Sequence, residues 1–231
     1  MEENKILLSL CPNITDEMLY QLDIYREVLQ EESKKMNLTT ITDTVDVYIK
    51  HFYDSMLLTK IIDLHEKTLV DIGTGAGFPG VVLKIIEPSL KVVLIEPTTK
   101  RCNFLKSVID KLQLKDIVVV NERAEKCISR YRENFDVVTA RAVANLPILL
   151  ELLTPFSKVN GVVVPMKGSN VEEEIKDATS AIKLLNLKLV DIYNFTLPFD
   201  KGTRNIIKFQ KKEKTSSIYP RDYAKILKKP L

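Results

Sequence analysis

Between residues 69 and 80 the chain reads Leu-Val-Asp-Ile-Gly-Thr-Gly-Ala-Gly-Phe-Pro-Gly. A short apolar run ends at Asp71-Ile72, glycines stand at Gly73, Gly75 and Gly77, and Pro79 marks a helix start. Glycine at such positions lets the backbone turn sharply and come close to a ligand. The spacing Gly75-x-Gly77-x-x-Gly80 also satisfies the dinucleotide fingerprint, so the glycines alone leave NAD and S-adenosylmethionine both open. Asp71 tilts the choice. A carboxylate at the strand end repels a pyrophosphate, whereas it suits the amino group and sulfonium of S-adenosylmethionine.

Three further polar groups follow short β-branched runs. Glu96 stands 19 residues after Gly77, where an acid can accept hydrogen bonds from the ribose hydroxyls of either cofactor; the competing reading is a surface glutamate before Pro97. Asn121-Glu122-Arg123-Ala124-Glu125 follows a third run, and the amides of Ala124 and Glu125 would meet an adenine edge there, unless this is an ordinary polar loop. Arg141, among the small neighbours Ala140 and Ala142, follows a fourth run as a ligand or RNA contact, or as half of a structural salt bridge.

These residues need a scaffold that brings strand ends together. Before about residue 67 the pattern is helical. Thr15-Asp16-Glu17 starts a helix with Leu19, Leu22, Tyr25, Val28 and Leu29 on one face, and Asn37-Leu38-Thr39-Thr40 ends it. A second run, Val45 to Ile62, aligns Val45, Tyr48, Ile49, Phe52 and Met56. After residue 67, strands are expected at 68–72, 91–95, 117–120, 135–140, 161–166, 187–195 and 205–210. Helices are expected at 79–87, 98–113, 145–153 and 171–185. Alternation of this kind implies an α/β protein with a parallel sheet and right-handed crossovers. The short link between the last two strands implies an antiparallel pair. Seven strands ending in this way resemble the class I S-adenosylmethionine-dependent methyltransferase fold, a mostly parallel sheet whose last strand is antiparallel, here with added N-terminal helices. In such sheets ligands bind beyond the carboxyl ends of the strands. The expected organisation is a helical substrate-binding region over 1–66, a core over 67–210 and a basic tail over 211–231.

Composition narrows the class. The 231 residues are 45% hydrophobic, without an apolar run long enough to span a membrane, and the acidic start Met1-Glu2-Glu3-Asn4 is unlike a signal peptide. Cys11, Cys102 and Cys127 are widely spaced and far from His51 and His65, so neither a disulfide framework nor a metal site is expected. A cytoplasmic monomer is the expectation. The net charge is +3, yet residues 211–231 hold seven Lys or Arg against Glu213 and Asp222, so the tail carries +5 and the rest −2. Such a tail is either a solvated end or a phosphate-binding arm, and its Tyr219 and Tyr223 could stack on bases.

A larger resemblance is carried by Asn37-Leu38-Thr39, Lys50-His51-Phe52-Tyr53-Asp54-Ser55, Asp71 to Gly80 with its Gly-Phe-Pro-Gly extension, Lys100-Arg101-Cys102-Asn103-Phe104-Leu105, Ala140-Arg141-Ala142-Val143-Ala144 and Met166-Lys167-Gly168. In these segments the chain resembles the bacterial 16S rRNA guanine-N7 methyltransferases of the glucose-inhibited division protein B family. The resemblance implies S-adenosylmethionine as methyl donor, with S-adenosylhomocysteine as product, and 16S rRNA or the small ribosomal subunit as partner. The target it implies is guanosine 527, in the usual numbering. It places cofactor contacts at Gly73, Phe78, Ala124, Glu125 and Arg141. Lys50 stands where the family usually has arginine, and Asp222-Tyr223-Ala224-Lys225-Ile226 replaces a stretch that often holds glycine and proline.

The implied chemistry asks for no general base. Guanine N7 carries a free lone pair and can attack the sulfonium methyl in line, neutralising the sulfonium as the thioether leaves, which agrees with a chain lacking a Ser/His/Asp or Cys/His constellation. The A-form major groove is too deep for a protein to reach N7, so the guanine must sit in an open loop or be turned out. The cations expected to hold the RNA are Lys50, His51, Lys100, Arg101, Lys167, Arg204 and Arg221, with Arg141 and Lys167 nearest the reacting base. Arg141→Ala is expected to abolish methylation without unfolding the protein. A methyltransferase acting on a small molecule, or an NAD-binding protein, are the alternative readings.

Overall fold

The computed structural model describes residues 3–35, 38–168 and 170–231; Asn37, expected to break a helix, lies outside them. Its centre is one seven-stranded sheet of β1 (Thr68–Ile72), β2 (Lys91–Ile95), β3 (Ile117–Val120), β4 (Phe135–Arg141), β5 (Ser157–Lys167), β6 (Leu187–Thr196) and β7 (Thr203–Lys211). The spatial order is β3-β2-β1-β4-β5-β7-β6. β7 runs antiparallel to both its neighbours, while β1 to β5 pair in parallel. The order reverses between β1 and β4, so a crevice opens at their carboxyl ends, below Ile72 and Arg141.

Helices cover both faces because the central strands are apolar on both sides. One layer comprises α1 (Glu3–Leu10), α2 (Asp16–Ser33), α3 (Thr44–Val47), α4 (Asp54–Met56), α5 (Gly80–Ile86) and α6 (Thr99–Lys111). It shares one apolar core with the sheet, running from Leu22 and Phe52 through Leu83 and Leu105 to Leu69 and Val164. The other layer holds α7 (Ala124–Tyr131), α8 (Leu146–Leu153), α9 (Val171–Asp177) and α10 (Thr179–Leu184), with the C-terminal α11 (Tyr223–Lys228) packed on α8.

The face of α2 buries Leu19, Leu22, Tyr25, Val28 and Leu29 as its periodicity dictates, and Thr15 caps it by accepting from the Met18 amide. Between α3 and α4 the chain departs from the expected continuous helix, with a π-helical turn over Tyr48–Tyr53. Such a turn re-aims the side chains around it and is common at functional sites. The helix expected over 171–185 is broken at Ala178 into α9 and α10. No helix among the described residues is long and apolar enough to cross a membrane.

Candidate functional site

The glycine loop is built by one buried carboxylate. Asp71 Oδ2 accepts from Thr74 Oγ1 at 2.6 Å and from the Gly80 amide at 2.9 Å, so it folds the loop back and caps α5 from a distance. Three glycines are required by space: a Cβ on Gly73 would lie 2.8 Å from Val143, on Gly77 2.6 Å from the Tyr25 hydroxyl, and on Gly80 2.4 Å from Leu94. Gly75 differs. At φ +62° it also needs the left-handed region, yet a Cβ there would meet only the Gly73 carbonyl, at 4.0 Å, so its backbone faces open space. Asp71 Oδ1 is buried with no hydrogen-bond partner among the described residues, and burial raises the carboxyl to about 6 despite the Thr74 and Gly80 hydrogen bonds and the Arg141 charge.

Glu96, at the end of β2, is buried beside this loop. Its Oε2 accepts from the Gly75 amide at 3.1 Å and its Oε1 from the Thr98 amide at 2.8 Å, while Arg101 approaches Oε2 at 3.8 Å. Glu96 thus joins the carboxyl ends of β1 and β2 across the parallel register Ile72↔Ile95. Past β3, Ala124 and Glu125 open α7, where Arg123 offers no side-chain cap to the first-turn amides.

Arg141 ends β4 and is gripped from the N-terminal layer. The π-helical turn presents the Lys50 carbonyl, His51 and Asp54 to it: the guanidinium donates to Asp54 Oδ2 at 2.9 Å, to the Lys50 carbonyl at 3.1 Å and to His51 Nδ1 at 3.2 Å. Asp54 Oδ2 also accepts from Arg204 Nε at 3.0 Å, so one buried carboxylate fixes two arginines from β4 and β7. The Arg141 guanidinium lies 5.0 Å over the Phe78 ring, which stacks in turn on His51 at 4.4 Å and Tyr25 at 5.4 Å. The Tyr25 hydroxyl donates to the Ala76 carbonyl, which ties α2 to the glycine loop. Since Arg141 can only donate, His51 accepts at Nδ1 and donates from Nε2 to Thr39 Oγ1 at 2.9 Å. Burial and the neighbouring Arg141 push its pKa down to about 3, so it is neutral at pH 7.

Beyond this hub a cleft of about 400 Å³ is lined by Lys50, His51, Asp54, Arg141, Lys167 and Arg204 among others. Lys167, at the end of β5, pairs with Glu174 at 2.6 Å and donates to the Ala144 carbonyl at 2.8 Å. Lys50 pairs with Asp46 at 2.7 Å.

Comparison with known proteins bears directly on this arrangement. The family model described as GidB, rRNA small subunit methyltransferase G, matches residues 18–207. The chain belongs to this family. A ribosomal RNA small subunit methyltransferase G from Acetivibrio thermocellus is 45% identical, over 95% of this chain and 91% of the relative. Its counterpart from Geobacillus kaustophilus is 43% identical, over 100% of this chain and 96% of the relative. Among solved structures, an S-adenosylmethionine-dependent methyltransferase from Aquifex aeolicus superposes with a TM-score of 0.56 at 17% identity. That match covers 78% of this chain and 98% of the other.

For this GidB-family chain the structure gathers Asp71, Gly73, Gly75, Glu96, Arg141, Lys167, Lys50 and Arg204 around the crevice. Phe78 belongs to the glycine loop through its backbone, its amide donating to the Thr74 carbonyl, while its ring is 5% exposed and packed between Tyr25 and His51. His51, expected to touch RNA, is 8% exposed with both ring nitrogens engaged, because the π-helical turn aims it inward at Arg141. Arg221 is no free arm: its guanidinium and amide bind Glu151, which is fully buried in α8. Lys211 is likewise buried, donating to Glu133 and to the Thr154 and Ser157 carbonyls. Tyr219 is buried, which removes it from base stacking, and Tyr223 is half-buried with Arg123 over its ring. Asp54 was not among the site residues expected from sequence. Its role is visible only once folding sets it against Arg141 and Arg204, although a carboxylate one turn after Lys50-His51 on a helix is the signal that carried it.

Proposed function

We propose that this chain transfers a methyl group from S-adenosylmethionine to N7 of a guanine in small-subunit ribosomal RNA, with guanosine 527 as the target its family resemblance implies. The observation that supports the reading best is the open backbone at Gly75 between two buried carboxylates, Asp71 and Glu96. Asp71 at the end of β1 disfavours a pyrophosphate and suits a ligand bearing an amine and a sulfonium, while Glu96 would serve the ribose of either cofactor. The residues present therefore fit this cofactor better than NAD. Glu96 would hold the ribose hydroxyls, the Gly73–Gly77 backbone the methionine portion, and the Ala124 and Glu125 amides the adenine edge. Asp71, with its unpartnered Oδ1, would supply counter-charge.

When bound, the cofactor would supply a sulfonium methyl that the N7 lone pair can attack in line, the S–C bond breaking to release S-adenosylhomocysteine as a neutral thioether while the guanine takes on the positive charge. The protein need move no proton, and His51, neutral and doubly hydrogen-bonded, is not placed to take one. The chain's task is alignment, which can lower such a barrier by roughly 7–11 kcal/mol. Arg141 is pre-set for this by Asp54, the Lys50 carbonyl and the Phe78 ring, and Lys167 by Glu174. Lys50, Lys100, Arg101, Lys167 and Arg204 are the cations available to RNA phosphates near the crevice. The N-terminal helices over 1–66 form the substrate-facing region, residues 67–210 the catalytic core, and the protein works as a cytoplasmic monomer on rRNA or the small subunit.

Titration calorimetry with each cofactor tests the first step. S-adenosylmethionine is expected to bind and NAD not to; NAD binding without S-adenosylmethionine binding would overturn the reading.

A further inference from the structure

The hairpin joining β6 to β7 carries an aromatic ring where the backbone least favours one. Thr196 pairs with Thr203, the Leu197 amide donates to the Gly202 carbonyl at 2.8 Å, and the Lys201 amide donates to the Pro198 carbonyl at 3.3 Å. Phe199 and Asp200 therefore form the two-residue tip, with φ of +56° and +54°. Two successive positive φ angles define the type I′ tip that Asn-Gly satisfies, and a bulky side chain there is an outlier. The ring gains little from packing in return, since Phe199 is 63% exposed.

The tip is tied to the wall of the cleft. Lys201 pairs with Asp46 Oδ1 at 2.7 Å, and the same carboxylate holds Lys50 through Oδ2 at 2.7 Å. Three residues past Lys201, Arg204 reaches Asp54 beside Arg141. Asp46 and Asp54 thus each bind two cations, Lys50 with Lys201 and Arg141 with Arg204, and of these Lys50, Arg141 and Arg204 line the cleft; Asp43 also faces Lys201. An exposed aromatic face next to clustered cations matches how proteins seize unpaired nucleotides, the ring stacking on a base while cations meet the phosphates.

We infer that Phe199 is a stacking platform for an unpaired base flanking the target nucleotide of the RNA substrate. The inference rests on the RNA-methyltransferase reading above. It adds a contact outside the cofactor crevice, and it predicts that stability and RNA affinity move in opposite directions on one substitution. Phe199→Asn places a residue suited to the turn and removes the ring.

The test uses the full chain with deproteinised 16S rRNA and with small-subunit particles. F199N is expected to melt at or above the wild-type temperature and to keep the wild-type Kd for S-adenosylmethionine. Its Kd and KM for RNA should rise about tenfold, equivalent to ~1.4 kcal/mol, with kcat within about twofold. The chain contains no tryptophan, so Phe199→Trp makes a single reporter. F199W should keep the wild-type KM, and its emission should be quenched by RNA but not by the cofactor alone. Unchanged RNA affinity in F199N, a lower melting temperature in F199N, or emission from F199W indifferent to RNA would each overturn the inference. If the wild type transfers no methyl to RNA while F199W is still quenched and F199N binds RNA weakly, the platform stands and the methyltransferase reading falls.

Discussion

Asp71 should make the cofactor-free protein less stable as pH rises, and replacing it should remove that dependence. Its carboxyl is fully buried and raised from 3.8 to about 6, chiefly by loss of hydration. An acid whose folded pKa exceeds its unfolded value binds more protons when folded. Its contribution to stability is therefore fully present below about pH 3.8 and is lost as pH climbs through about 6. Between pH 4.5 and 7.5 linkage gives a loss of about 2 kcal/mol from this group. Asp71→Asn keeps an oxygen for Thr74 and the Gly80 amide while removing the charge, so the loop keeps its fold. Denaturant unfolding of wild type and D71N across that range, without cofactor, isolates the effect, because every other titrating group cancels in the difference. D71N is expected to gain about 2 kcal/mol relative to wild type on going from the acid to the neutral end. S-adenosylmethionine should bind D71N at least about tenfold more weakly, ~1.4 kcal/mol, since the counter-charge is gone. Parallel stability curves together with unchanged cofactor affinity would refute both the buried charge and its use.

Arg141→Ala should abolish methyl transfer. The protein should stay folded but weakened, because loss of the guanidinium leaves Asp54 to Arg204 alone and should cost about 1–3 kcal/mol in denaturant unfolding. Arg141→Lys should recover much of that stability but little activity, as an ammonium cannot serve Asp54, His51 and the Lys50 carbonyl together; an R141A protein that is folded and fully active would contradict the assignment. Arg221→Ala should lower stability by about 3–5 kcal/mol by leaving Glu151 buried and unpaired. The folded R221A protein should bind 16S rRNA as wild type does, measured by filter binding, and a selective loss of RNA affinity would return Arg221 to the RNA interface.

The sheet could be read from the chain because each central strand is a short β-branched run flanked by breakers. The parallel register then follows from the helices between them. Short elements escaped: α7 is eight residues with charged Glu125, Lys126 and Arg130 among its apolar positions, and α11 is six. The π-helical turn leaves no trace in a periodicity of 3.6, yet it decides where His51 and Asp54 point. That Gly75 and Glu96 lie side by side follows from the neighbouring strand ends they extend. The packing of the Phe78 ring could not be read from the glycine loop it adjoins, because its stacking partners Tyr25, His51 and Phe52 arrive from the N-terminal helices. The tail's charge count was correct but blind to burial, since Lys211 and Arg221 answer Glu133 and Glu151, residues about 70–80 positions earlier.

The central claim is that this crevice aligns a methyl donor with guanine N7 of a small-subunit RNA. Incubating the purified protein with labelled S-adenosylmethionine and 16S rRNA or small subunits, then mapping the label nucleotide by nucleotide, tests it directly. Label at N7 of one loop guanine, at position 527, is the result expected; label on another atom or base, or none on RNA, would contradict it.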